Sequence, residues 1–190
     1  MTTIKLLPSF VEENRCAYDS LDSTHPLSNV LGKDENSETY ARWYMTKGGA
    51  AVTRIYYGFD FSKIPSDATI IKVSCSAKGR IENTSIARGG NNNIALYKSE
   101  DVIVRSSLTL FGTTAEIATI STTDFTRDTL NDLRFAFSGS RGLISANTMY
   151  YMDLFGCSLT VEYTAPESPE TVECHMLKAN GIVRYGGKVY

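Results

Sequence analysis

Two segments of this chain alternate apolar and polar side chains residue by residue. In the first, Ile71, Val73, Cys75 and Ala77 point one way while Lys72, Ser74, Ser76 and Lys78 point the other; in the second, Cys157, Leu159, Val161 and Tyr163 alternate with Ser158, Thr160 and Glu162. A period of two belongs to a strand with one face on a core and the other toward water. Between Tyr56 and Tyr163 strand-like segments recur, separated by turn sequences such as Ile64-Pro65-Ser66-Asp67 and Gly139-Ser140-Arg141-Gly142. This spacing predicts about eight to ten short strands in an all-β, antiparallel β-sandwich of jelly-roll type.

Further strands are expected over residues 9–17, 93–98, 101–106, 113–120, 133–137 and 150–164. Residues 40–46 and 53–61, dense in aromatics, read as a hairpin closed by Lys47-Gly48-Gly49-Ala50. Residues 124–133 read as one short helix behind a Thr or Asp cap, with Phe125, Leu130 and Leu133 turned inward to plug one end of the sandwich. The polar stretches 19–39 and 79–93 read as long loops, the first of them a candidate functional segment because loops of that length in compact domains usually carry function or move.

Domain organisation follows from where this pattern stops. The sandwich is assigned to residues 1–164. Residues 165–170, Ala-Pro-Glu-Ser-Pro-Glu, form a Pro-rich linker that cannot continue a sheet interior. Residues 171–190 carry Asn180-Gly181 between apolar alternations, the signal of a β-hairpin arm. A lone hairpin is marginal in water. Its apolar residues Val172, Met176, Ile182, Val183, Tyr185 and Tyr190 are therefore expected to dock on this domain, a sister subunit or another partner.

Composition narrows the function classes. With 190 residues, 42% hydrophobic, the chain suits one domain with a sizeable core plus an extension. Its 19 basic and 21 acidic residues are scattered, which excludes an electrostatic footprint for nucleic acid. No apolar run approaches the roughly 20 residues of a membrane span, and the N-terminal residues do not read as a secretory signal, so synthesis in a cytoplasm is expected. Cys16, Cys75, Cys157 and Cys174 are too far apart for a closely spaced zinc set. Cys75 and Cys157 read as buried free thiols, with a bridge between them as the alternative.

The stretch from Tyr57 to Gly79, then Ala95-Leu96-Tyr97-Lys98, resembles domains of tail, fibre and other virion proteins of phages and prophages of Gram-positive bacteria. The segment Phe125 to Phe135, the loop Ser140-Arg141-Gly142-Leu143 and the closing Phe155 to Thr164 are similar to the same domains. The Ile-Pro-Ser-x-Ala-Thr-Ile turn also recurs in β-sandwiches that resemble carbohydrate-binding modules. The likeness covers residues 17 to 164. It implies a virion protein without catalytic residues, made in a bacterial cytoplasm and engaged in assembly or host adsorption. Its implied partners are other virion proteins and sister copies, a trimer by analogy with fibres, or a host cell-wall glycan.

Candidate sites are few. His25 and His175, the only histidines, have no neighbouring Cys, Asp or Glu at metal-ligand spacing, and no oriented acid–base pair is visible, so neither catalysis, metal nor cofactor is expected. Asp19, Asp22, Asp34 and Glu35 read as solvated loop acids, with calcium as the alternative. Trp43, Tyr44, Tyr56 and Tyr57 have flat faces for a sugar or a subunit, or else fill the core; since Tyr56 and Tyr57 are adjacent, one must face away from the core. Arg80, Arg88 and Arg141, placed on loops, are candidates for an acidic partner.

Overall fold

The computed structural model describes residues 1–16, 19–45, 51–81, 91–106, 112–141, 150–166, 177–179 and 182–184. In chain order the strands are β1 (Thr2–Leu6), β2 (Pro8–Cys16), β3 (Asp19–Leu21), β4 (Ala41–Met45), β5 (Ala51–Phe59), β6 (Thr69–Ile81) and β7 (Asn91–Lys98). They continue as β8 (Asp101–Arg105), β9 (Glu116–Thr122), β10 (Leu133–Arg141), β11 (Tyr150–Thr164), β12 (Leu177–Ala179) and β13 (Ile182–Arg184). One antiparallel sheet runs β3-β4-β11-β6-β9, with β1 joining β11 beyond the end of β4; the other runs β2-β5-β10-β7-β8. The fold is an antiparallel β-sandwich, as the alternation predicts.

The two inner faces bury each other. Trp43 of the first sheet meets Phe137 of the second edge to face at 5.1 Å, and Val73, Cys75, Leu154, Cys157 and Leu159 face Ile55, Tyr57, Leu96 and Phe135 within one apolar cluster. Cys75 and Cys157 are free and buried, inward-facing on neighbouring strands of one sheet. Burial pushes both thiols up, so they behave as small apolar groups.

Several expectations change. Residues 40–46 and 53–61 do not form a hairpin: β4 pairs with β3 and β11, whereas β5 pairs with β2 and β10 in the opposite sheet. Apolar side chains on both strands are satisfied only if each strand closes the core from its own side. Residues 124–133 form no α-helix; turns lead into a single 3-10 turn at Leu130–Asp132. Here the Thr126 and Thr129 side chains take up nearby backbone N–H groups, the competition that makes such residues poor in helices. Phe125, Leu130 and Leu133 are nevertheless buried.

Ile71 is a third correction. Its side chain is 38% exposed, because the β6–β11 register jumps between Glu162–Lys72 and Tyr163–Ile70. Ile71 is the unpaired residue of that bulge, and Ile70 takes its place against the core. The chain also begins with an unexpected strand, β1, and the stretch 19–39 includes β3 and a 3-10 turn at Leu27–Val30. Arg80 lies inside β6 and not on a loop. Strands β12 and β13 pair antiparallel, Ala179 opposite Ile182; Asn180 and Gly181, the predicted turn, lie outside the described residues. Most of the linker, Arg88, and the side chains of Arg141 and of the arm residues Val172, Met176, Ile182, Val183, Tyr185 and Tyr190 lie outside the described residues.

A second bulge sets up the outer face of the first sheet. Phe155 is the extra residue between the Leu154–Gly79 and Gly156–Lys78 pairs. A side chain at Gly156 would place its Cβ 2.1 Å from the Asp34 carbonyl oxygen, so the loop after Leu31 rests directly on the strand backbone there. The Cys157 N–H donates to the Lys33 carbonyl at 3.2 Å across the same contact. Gly156→Ala is expected to push this loop off and lower stability by about 1–3 kcal/mol. Denaturant unfolding of the variant measures it.

Candidate ligand-binding face

Three charged side chains that lie far apart in sequence meet on the outer face of the first sheet. The register sets Asp153 of β11 opposite Arg42 of β4 on one side and opposite Arg80 of β6 on the other. Arg42 donates from Nε and Nη2 to the two Asp153 oxygens, at 2.7 and 2.8 Å, and Arg80 donates from Nε at 2.6 Å. Asp153 is fully buried while the Arg42 and Arg80 side chains keep 14% and 32% of their exposure. A carboxylate withdrawn from water is tolerable only when its lone pairs are used in this way. The Asp153 hydrogen bonds also raise the Arg42 pKa further above its ordinary value.

Aromatic rings wall the two guanidinium groups. Arg42 lies 3.7 Å from the Tyr151 ring centroid and 5.0 Å from that of Tyr40; Arg80 lies 5.4 Å from Tyr40 and 5.3 Å from Phe155. Tyr40 in turn stacks on His25 at 4.4 Å with the planes 9° apart, and Tyr44 meets Tyr151 edge to face at 6.2 Å. Such cation–ring contacts and the Asp153 fork leave each guanidinium few orientations.

The border of this face is held by acids. Asp22 accepts from the Thr24 hydroxyl at 2.6 Å, the Thr24 N–H at 2.9 Å and the Tyr44 hydroxyl at 3.3 Å, and its Oδ2 lies 3.0 Å from His25 Nδ1. Hydrogen bonds from Thr24 and His25 hold its carboxyl well below the usual range. On the other side, Lys5 bridges Asp34 and Glu35 at 2.9 and 3.1 Å, Ser158 donates to Glu35 at 2.6 Å, and Lys78 reaches Glu38 at 2.7 Å. Burial pushes Glu35 up, yet the bonds from Ser158, the backbone and Lys5 outweigh it and leave the group lowered. These acids strap a loop; no group of three or more potential metal ligands forms among the described residues.

The sequence candidates divide accordingly. Tyr44 belongs to this face. Trp43, Tyr56 and Tyr57 are 0%, 1% and 0% exposed and present no ring to a ligand. Trp43 and Tyr57 lie in the core, where the Tyr57 hydroxyl donates to the Leu27 carbonyl at 3.2 Å. Tyr56 faces the other way, as adjacency requires, and is buried in a small cluster with Ala95, Tyr97 and Ala136. The backbone of Asp19 lies in β3, and its side chain is outside the described set. Sequence reasoning missed Tyr40, Arg42, Tyr151 and Asp153. No local signal marked them, since a charged residue such as Asp153 between inward-facing neighbours is ordinary in a strand with one buried face.

No family model and no curated protein matches this chain. Among solved structures, it is similar to TmCBM61 in complex with beta-1,4-galactotriose, at 10% identity over 77% of this chain and 86% of that one, TM-score 0.37. It is also similar to Fisc, a Stig cyclase from Fischerella sp. TAU in complex with (3Z)-3-(1-methyl-2-pyrrolidinylidene)-3H-indole, at 11% identity over 85% and 98%, TM-score 0.39. With scores below 0.5, what either protein binds has no bearing on this one.

Two outcomes follow from the geometry. Asp153→Asn leaves two guanidinium groups without their shared counter-charge, and a loss of about 3–5 kcal/mol is expected in denaturant unfolding. The second concerns pH. A carboxyl lowered by folding contributes stability above its unfolded pKa, near about 4, and loses it as pH falls toward the folded value. Asp22→Asn should therefore flatten the acid limb of melting temperature against pH below about pH 4, with little change in slope near neutrality.

Proposed function

We propose that this chain is a non-catalytic glycan-binding β-sandwich whose ligand lies across the outer face of the first sheet. One observation carries the reading: a fully buried Asp153 holds Arg42 by a two-point bond and Arg80 through Nε, among aromatic rings on the outer face of a sheet. Of the two, Arg80 is the more exposed, at 32%, and it meets Asp153 through Nε. A guanidinium held in one orientation matches carboxylate and phosphate groups in geometry, and the half-buried edges of Tyr40, Tyr44 and Tyr151 offer apolar contact to a sugar ring. The ligand class is thus a glycan bearing carboxylate or phosphate.

The resemblance to phage tail and fibre domains supports a place for such a module on a virion, as one of several copies beside other virion proteins, where the glycan would be a host cell-wall polymer. Titration calorimetry of the whole chain with phosphate- and uronate-bearing wall polymers, with a neutral dextran as control, tests the binding. Saturable binding to the acidic polymers is expected, weakening with salt and falling at least tenfold in Arg80→Ala. That variant leaves Asp153 in its two-point bond with Arg42, so the fold is expected to survive. Absence of saturable binding by the wild type overturns the reading and favours a purely structural virion role.

A further inference from the structure

On the opposite sheet a different surface carries its own chemistry. Phe10 of β2, an edge strand, stands directly across from Gly58 of β5. A Cβ at Gly58 would lie 2.2 Å from the Phe10 ring, so the ring sits on bare backbone and any side chain at 58 would lift it. Phe10 remains 48% exposed even so. A ring over a cross-strand glycine is in part a structural device. What surrounds Phe10 goes beyond that need.

Next to the ring lies a groove of about 540 Å³, lined also by Ser9, Asp60, Ser62, Arg127 and Asn131. That volume falls within the range of about 300–1,000 Å³ usual for small-molecule sites. Asp60 and Arg127 are held in place by the backbone. Asp60 Oδ1 accepts the Ser62 N–H at 2.9 Å, which keeps the carboxyl lowered and ionised. Arg127 donates from Nε to the Pro65 carbonyl at 2.9 Å and from Nη2 to the Ile64 carbonyl at 3.1 Å, which fixes its guanidinium beside the groove. One carboxylate and one guanidinium balance in charge, so nothing here selects an ion.

We propose that this groove binds one neutral pyranose ring, stacked on Phe10 and hydrogen-bonded through its hydroxyls to Asp60, Asn131 and Arg127. The C–H face of a pyranose is apolar and flat enough to lie on an aromatic ring. Its neighbouring hydroxyls donate and accept side by side, which suits a carboxylate that only accepts, a guanidinium that only donates and an amide that does both. Phe10 supplies the face, and the three planar polar side chains supply the edge. This site is independent of Arg42 and Arg80, which lie on the outer face of the other sheet.

The test is amide-resolved NMR titration of the full chain with methyl glucoside, methyl galactoside and methyl N-acetylglucosaminide, up to about 50 mM to reach millimolar affinities. At least one sugar is expected to give saturable shifts at Gly58, Asp60 and Ser62. Phe10→Ala should abolish them, Phe10→Trp should retain them, and Arg80→Ala should leave them unchanged whatever it does to binding of acidic polymers. Asn131→Ala, at an exposed position, should weaken binding at least fivefold and decides the matter if Phe10→Ala does not fold. Saturable shifts absent from the wild type with all three sugars, surviving Phe10→Ala or untouched by Asn131→Ala overturn the proposal.

Discussion

Everything in this molecule depends on the mutual burial of two sheet faces. Neither sheet could keep Trp43, Ile55, Tyr57, Phe135 and Phe137 out of water alone; together they bury all five to 0% exposure. That packing fixes which way each strand faces. It also explains why β4 and β5, close in sequence, separate into different sheets: each carries a large aromatic that can be covered only from the opposite side.

The long strand β11 transmits this constraint to the surface. Its inward residues Met152, Leu154, Cys157, Leu159 and Val161 are all fully buried, which leaves no freedom to slip, because a one-residue shift would turn every one of them away from the core. Asp153 is therefore held outward and, with β4 and β6 in register on either side, sits between two arginines. The bulge at Phe155 and Gly156 then lets the 31–39 loop rest on the strand, where Lys5, Lys78 and Ser158 fasten its acids. A charged and aromatic surface is thus built on a framework that apolar packing has already made rigid.

How much of this was legible beforehand differed by scale. Residues 150–164 were readable as a strand from alternation alone, and the structure places β11 at Tyr150–Thr164. The same rule failed at Ile71, since a bulge adds one residue and inverts the pattern without any mark in composition. The helix expected at residues 124–133 failed because periodicity favoured it while threonine side chains offered the backbone other partners. Trp43, Tyr44, Tyr56 and Tyr57 were open in sequence to a sugar, a subunit or the core, since a large flat ring serves all three, and Trp43, Tyr56 and Tyr57 went inside. Phe10, plainer in sequence, stays exposed because Gly58 opposite it leaves room for the ring on the outer face.

The amino-acid order by itself determined the fold class: period-two alternation and turn residues are local properties, readable within ten residues or so. The tertiary structure alone decided the candidate sites. Arg42 and Arg80 lie 111 and 73 positions from Asp153, and Phe10 lies far from Asp60 and Asn131. Which strands become neighbours, and in which register, is set by the cooperative burial of two faces at once, and no local stretch of chain holds that information.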